Sequence, residues 1–436
     1  MSEPKASANH EGEVPASASP VAPGLSERRI DSVDLLRGIV MVVMMLDHTR
    51  DFVHSGAVVF DPLDLSQTTP ALFFTRWITH YCAPVFVFLA GTGAYFQLAR
   101  GKSKRDLSKF LVSRGLWLIF LELTVVKFGV FFSADYRFFG FLQVIWVIGV
   151  SMIVLAALIH LPLKVTAGFG LAMIALHNLL DRFQATPWQG PNSPVPGAGA
   201  KLWMLLHQPF TFFPLLGFPS PIVVVIYNLI PWVGVMAAGY AFGSIYQKEA
   251  GTRRRWLFWL GIVSTWLFIL VRALDVYGDQ AHWHTQKNVL FTLLSFLNTT
   301  KYPPSLQFLL MTLGPAILLL WWFDSKSAAD RARSLLRRFR NVFVTFGRVP
   351  LFFYLLQWYT SHLIAVGLGF IAGQPVAYQF LSPLDKFTPG NIPAGVGFRL
   401  WVVYLCWIGG VLLLYPLCKW FAGVKARRRD RWLSYL

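Results

Sequence analysis

Residues 71–98 read ALFFTRWITHYCAPVFVFLAGTGAYFQL, with one formal charge, Arg76, and one histidine, His80. A helix needs about 20 apolar residues to cross about 30 Å of hydrocarbon, and this stretch exceeds that length. Nine further runs meet the same test loosely: 35–53, 107–128, 139–161, 163–181, 221–246, 256–276, 305–323, 342–371 and 398–421. The stretch 285–298 is shorter and polar-edged, so it reads as interfacial or re-entrant, an eleventh span at most. The expected fold class is therefore all-α, a polytopic membrane helix bundle of about ten transmembrane helices.

Composition leads to the same place. Of 436 residues, 55% are hydrophobic and 14% charged, and the mean hydropathy is +0.51. Soluble domains carry about 45–50% apolar and about 25% charged residues. A soluble enzyme, a disordered hub and a disulfide scaffold are excluded. Cys82, Cys406 and Cys418 lie inside apolar runs without CxxC spacing, which suits core packing and neither zinc nor disulfides.

The net charge of +18 is distributed in short clusters between apolar runs, such as RGKSKRDLSK at 100–109 and KARRRDRW at 425–432. No nucleic-acid-binding motif accompanies them, and nucleic acid is not an expected partner. Cytoplasmic loops of membrane proteins gather Lys and Arg, and such loops attract anionic lipid. With both termini cytoplasmic, ten spans place 28 of the 39 basic residues inside, while the outer loop 55–70 has none. The expected setting is the cytoplasmic (inner) membrane. Residues 1–27 are rich in Ala, Ser, Pro and Glu and read as a disordered cytoplasmic tail without a cleavable signal. The transmembrane domain is assigned to 28–424 and a basic cytoplasmic tail to 425–436. No internal repeat is visible.

Ionisable side chains inside a span are costly unless paired or facing a wet cavity, so each marks a candidate site. Asp47, His48, Arg50, Asp51 and His54 end the first span on its outer side. Arg76 and His80 enter the second from outside; Glu122 and Lys127 lie toward the outer end of the third. Asn228 belongs to the outer part of the sixth, Arg272 and Asp275 to the seventh, Gln357 and His362 to the ninth. They converge on one leaflet, which suggests a pocket open to the exterior.

Within the first span Asp47, Arg50, Asp51 and His54 recur at i, i+3, i+4 and i+7, one face of a helix. A carboxylate one turn from an imidazole holds its tautomer and raises its basicity, as a general base requires. The plainer alternative is a solvated helix end with ordinary ion pairs. His48 lies one position off that stripe, on the face of Arg37. Arg76 and His80 are i, i+4 neighbours, and Pro84 cannot donate to the His80 carbonyl, so a kink opens there. Gly91 and Gly93 suit close helix packing, since no strand precedes them as a nucleotide loop requires. Glu122 is expected to pair with Lys127 or a histidine, or to serve catalysis. His160 and His177 read as span-end residues. His282 and His284 have no third ligand beside them, and no metal is expected.

Four blocks in order now carry a resemblance: RIDSVDLLRG at 29–38, RWITHYCAPVFVFLAGTGAYF at 76–96, KYPPSLQFLLMTLGP at 301–315 and FGRVPLFFYLLQWY at 346–359. Together they resemble the bacterial branch of the heparan-alpha-glucosaminide N-acetyltransferase catalytic-domain family, over roughly residues 28–372. The resemblance implies a polytopic acyltransferase. Its lysosomal member moves acetyl from cytosolic acetyl-CoA to a glucosamine amine across the membrane, using a histidine just after its first conserved span. Arg37 and Gly38 match the family's Arg-Gly pair. A substrate-side Asn is replaced here by His48, and an Asp four residues before the conserved Pro by His80. The catalytic histidine falls nearest His54 by order, so His48 and His54 both stay open, with Asp47 as orienting partner. These departures imply that heparan need not be the acceptor.

By their shared depth, His80, Arg76, Asp51, Asn228, Gln357 and His362 are expected to bind the acceptor, which the resemblance implies is an external sugar or amine. Arg37, Arg100, Lys102, Lys104, Arg105 and Arg348 are expected to grip the phosphates of acetyl-CoA or another acyl-CoA, although positive-inside bias alone puts basic residues there. The expected partners are the bilayer, the acyl-CoA and the acceptor, with a homodimer as a further candidate. Two other readings use the same residues: a proton-coupled transporter or exporter, and a non-enzymatic scaffold or sensor.

Overall fold

The computed structural model describes residues 30–57, 59–325, 334–386, 388, 390–428 and 430–435. The tail expected over 1–27 lies outside the described residues, as does the segment 326–333. Each of the ten expected spans contains a helix, and seven helical segments among the described residues are long and apolar enough to cross a membrane.

The centre of the bundle is α1 (Asp31–Val53), whose polar residues keep it off the purely apolar group. It packs on α3 (Cys82–Ala99), α13 (Ser334–Arg348), α14 (Pro350–Ile371) and α16 (Leu400–Arg427). Contact with α13 is backbone to backbone. A Cβ at Gly38 would collide with the Phe343 carbonyl, and one at Gly347 with the Asp34 carbonyl. Farther along, Thr49 shares a hydrogen bond of 3.2 Å with Ser361, and Trp407 donates to the Val42 carbonyl at 2.8 Å.

The segment Pro70–Ala99 forms one span of two helices. Thr69 accepts from the Leu72 N–H and Pro70 starts α2 (Pro70–Ile78), as the first helical position favours. The chain tightens over Thr79–Tyr81 and resumes as α3, with Pro84 unable to donate to His80. Gly91 lies against the backbone of Met236 in α9 (Leu229–Phe242), as its packing reading requires. Gly93 meets nothing and opens instead on the inner cavity.

Three spans differ in extent from the sequence reading. The 139–161 run is a strand, β1 (Phe138–Leu142), followed by α6 (Val144–Leu158). Glu122 sets that break: its carboxylate accepts the N–H groups of Ile145 and Trp146, both at 3.0 Å, and so caps the start of α6. Likewise 221–246 divides into β3 (Ile222–Val225), β-branched throughout, and α9, with extended Asn228 between them. The run 342–371 breaks before Pro350, which starts α14, because the residue preceding a proline is pushed out of helical geometry. With β2 (Thr211–Pro214), β1 and β3 make a small sheet of order β1-β3-β2. Each strand buries most of its residues, with Phe139 and Phe212 exposed.

Helix α4 (Lys104–Leu121) is capped by Ser103 and widens over Glu122–Val126 before α5 (Lys127–Phe131). Outer flanks are apolar and open: α7 (Leu163–Leu176), α10 (Ala250–Leu274) and α16 expose Leu171, Trp266 and Leu412. Only 17% of the α16 window is buried against 72% for that of α9, which marks a lipid-facing shell around a central core. The remaining helices are α8 (Ala198–Leu206), α11 (Val289–Leu297), α12 (Leu306–Phe323) and α15 (Pro383–Lys386). At nine residues, α11 is too short to span, as read from its polar edges. Arg272 holds it, donating to the carbonyls of Ser295, Phe296 and Asn298.

Candidate functional site

The last two turns of α1 wall a chamber of about 480 Å³. Asp47 is its electrostatic centre. Arg76 from α2 donates to Asp47 Oδ2, and Arg50 donates to Asp47 Oδ1 at 3.1 Å and to Asp51 Oδ1 at 2.6 Å. The Asp47 side chain is 11% exposed, that of Arg50 5% and that of Arg76 14%, so the two Asp47 pairs lie largely out of water, while Asp51 is 45% exposed. A buried ion pair is strongly coupled, since removing one partner strands the other's charge.

His48, next to Asp47, stacks on Trp358 of α14 with ring centroids 3.7 Å apart and planes 19° from parallel. Gln357 stands beside it, and His48 Nδ1 has no hydrogen-bond partner among the described residues. The Thr49–Ser361 bond, one residue further on α1, holds the two helices in this register. The imidazole is thus fixed by packing in the chamber wall, with lone-pair capacity left over.

Lys301 and Tyr302 complete the outer side. They project from the turn before α12, which Asp279 organises by accepting from Thr300 N at 2.9 Å and Ser305 Oγ at 2.7 Å. Tyr302 and Tyr227 meet edge-on, 5.2 Å between centroids. Burial opposes ionisation of Tyr302, yet Lys301 and Arg76 beside it, together with hydrogen bonds to Tyr227 and Lys301, hold its phenol below the usual tyrosine range. Such a phenol is a ready proton donor.

A wider antechamber of about 690 Å³ shares Arg50, Asp51, Arg76, Phe210, Lys301 and Tyr302 with the chamber and adds His80. In the opposite direction the chamber shares Met44, Phe86 and Val144 with an inner cavity of about 310 Å³. That cavity is lined by Arg37, Arg114, Arg348, Lys425 and Tyr354 and adjoins a polar mouth where Arg37, Arg348 and Lys425 recur with Arg100. The bundle therefore carries a chain of cavities along its length, cationic at one end and centred on Asp47 and His48 at the other.

The sequence-derived residues divide accordingly. Asp47, His48, Asp51, Arg76 and His80 line the outer cavities. His80 is fully buried, neither ring nitrogen has a hydrogen-bond partner among the described residues, and its ring lies 5.3 Å from that of Phe308. His54 is not among the lining residues. Its Nδ1 accepts from Gly56 N at 3.1 Å and its backbone bridges to Phe398. Asn228 donates to the Met204 carbonyl. His362 is held between Phe52 and Phe132, with both ring nitrogens 3.1 Å from the carbonyls of Gly129 and Gln379. Lys127 reaches the Asp135 carbonyl rather than Glu122.

Of the inner cluster, Arg37, Arg100 and Arg348 line the mouth, and Arg37 also bonds Asp34 and the Gly347 carbonyl. Lys102 turns back to Gln97 and over the Phe110 ring, Lys104 reaches the His160 carbonyl, and Arg105 is exposed. Four contributors escaped the sequence reading. Arg114 and Lys425 counted only as loop and tail charges, although α16 runs on to Arg427 and carries Lys425 to the cavity. Lys301 and Tyr302 lie in a loop, outside any span, and only their place in the KYPP block pointed to them.

Comparison with known proteins bears on this arrangement. Residues 29–280, more than half of the chain, match the family described as heparan-alpha-glucosaminide N-acetyltransferase, catalytic. No curated protein matches the chain.

Proposed function

The chain belongs to the heparan-alpha-glucosaminide N-acetyltransferase catalytic-domain family, a family of membrane acetyltransferases, and from that premise we propose that it carries acetyl across the bilayer. The donor is acetyl-CoA on the cytoplasmic side, and the acceptor is an amine or hydroxyl of a sugar-like molecule outside. The observation that carries this reading is the shared wall of Met44, Phe86 and Val144. It joins a cationic cavity at one end to the Asp47–His48 chamber at the other.

In this scheme Arg37, Arg100, Arg114, Arg348 and Lys425 hold the phosphates by charge-assisted hydrogen bonds. The thioester reaches past Met44 and Phe86 toward the chamber. The acceptor enters through the antechamber between Arg76, Asp51 and Lys301. Its nitrogen or oxygen attacks the thioester carbonyl carbon while His48 takes the proton it sheds. The C–S bond breaks, and the CoA thiolate leaves and is protonated. Tyr302 donates a hydrogen bond to the oxyanion that forms between these steps. Asp47 fixes Arg50 and Arg76 around the acceptor.

The direct test uses purified protein in detergent with acetyl-CoA and a panel of amino sugars. Release of free CoA that depends on the acceptor supports the reading. Absence of release with every amine and hydroxyl acceptor, in folded protein, moves the proton-coupled transporter ahead.

Two further results are expected. Replacing Arg114 and Lys425 with Gln should raise the acetyl-CoA KM about tenfold or more, since charged hydrogen bonds contribute about 1.5–3 kcal/mol each. Replacing Lys104 and Arg105 should leave it unchanged. Steady-state kinetics on the two double variants separate a donor site from a topology signal. Second, activity should decline on the alkaline side as Tyr302 loses the proton it donates, earlier than an ordinary phenol would. Tyr302→Phe should lower kcat and abolish that limb of the pH profile, whereas a purely structural tyrosine would leave the limb in place.

A further inference from the structure

A second polar cluster lies apart from the acetyl-transfer passage, at the far end of α7. The turn after α7 and the residue after α8 bring His177, Asp181 and His207 together, one ligand-type atom of each lying within 4.8 Å of the others. His207 Nε2 is 2.9 Å from Asp181 Oδ1. Both histidines are 2% exposed.

Hydrogen bonding leaves this cluster incomplete. Among the described residues neither ring nitrogen of His177 makes a well-formed hydrogen bond, although the Pro304 carbonyl faces the ring, and Nδ1 of His207 has no partner. A buried polar group left unpaired is costly. A His–Asp pair accounts for one nitrogen of His207 and for nothing on His177. Two imidazoles and a carboxylate are, however, a familiar three-ligand set for zinc, with a fourth position for water. The carboxylate is also oriented from behind, as ligands in metal sites are. Asn178 donates to Asp181 Oδ2 at 2.8 Å while its own Oδ1 accepts from Leu306 N at 2.9 Å.

We propose that His177, Asp181 and His207 form a binding site for a divalent transition-metal cation, zinc by the chemistry of the set. The sequence reading missed it because the two histidines are 30 positions apart and His177 looked like a span end. The ion would fasten α7 to the end of α8 and, through Asn178, to the start of α12. His207 stands three residues before Phe210, which lines both outer cavities. The ion would thus brace the loop that carries Phe210 into the cavity walls, and the site does not rest on the function proposed above.

The test uses the full chain, purified on a tag free of histidine, loaded with Zn²⁺ and desalted. Bound metal is measured by elemental analysis, and Co²⁺ loading is followed by visible absorption. The expected result is about one metal per chain, a tetrahedral Co²⁺ spectrum, and a melting temperature that rises with Zn²⁺ and falls with chelator. His177→Ala should reduce bound metal at least tenfold. So should Asp181→Asn, a near-isosteric change that keeps the fold testable if the alanine variant does not assemble. Folded wild-type protein that retains no Zn²⁺ after loading, or an Asp181→Asn variant that retains all of it, would leave a His–Asp pair only and overturn the proposal.

Discussion

His48→Ala should lower kcat by about 10²–10⁴, the range general-base catalysis contributes, while the acetyl-CoA KM stays within a few-fold of wild type. The imidazole lies in the chamber wall, clamped on Trp358, and the donor's phosphates bind at the other end of the passage. His54→Ala should keep most of its activity, since the Gly56 turn engages that ring away from the chamber. The wild-type rate should fall as pH drops and His48 takes up a proton, because only the neutral imidazole accepts one. His48→Ala should lose that acid limb. Steady-state kinetics across pH on correctly assembled protein would check all three. If His48→Ala keeps more than about a tenth of wild-type kcat, the base lies elsewhere in the chamber.

The second large effect is expected at Asp47. Its carboxylate takes Arg50 and Arg76, and Arg50 keeps Asp51 when Asp47 is removed. Arg76, only 14% exposed, does not have that recourse. Asp47→Ala should therefore destabilise the protein by about 3–5 kcal/mol, the cost of breaking a buried pair from one side, and abolish acceptor binding. The double variant Asp47→Ala, Arg76→Gln should recover a good part of the stability and little of the activity. Thermal unfolding in detergent for both singles and the double gives the coupling directly. Additive effects would mean that the pair is not the unit holding the chamber.

Much of this is legible in the amino-acid sequence. The helical bundle follows from apolar run length, and the density of charge at 47–51 follows from its cost in a membrane, so both could be read locally. What could not be read depends on partners distant in sequence. Glu122 looked like half of an ion pair with Lys127, but it caps a helix that starts more than twenty residues later. His362 and Asn228 looked like pocket residues by depth alone, and depth does not say which way a side chain turns. Conversely Lys301 and Tyr302 sat outside every span, and only the tertiary fold returns their loop to the mouth of α1. The same reasoning explains Arg114 and Lys425. A count of basic residues per loop measures topology, not which of them face a cavity.

The proposed reaction moves acetyl across the bilayer rather than within one compartment. Protein reconstituted in one orientation, with labelled acetyl-CoA at the face of Arg100 and Lys425 and an amino sugar sealed on the opposite side, tests this directly. Labelled acetyl should appear on the sugar in the opposite compartment while free CoA stays with the donor, and His48→Ala should stop both. Acetylation only when donor and acceptor share one compartment, or sugar crossing the membrane unmodified, would contradict it.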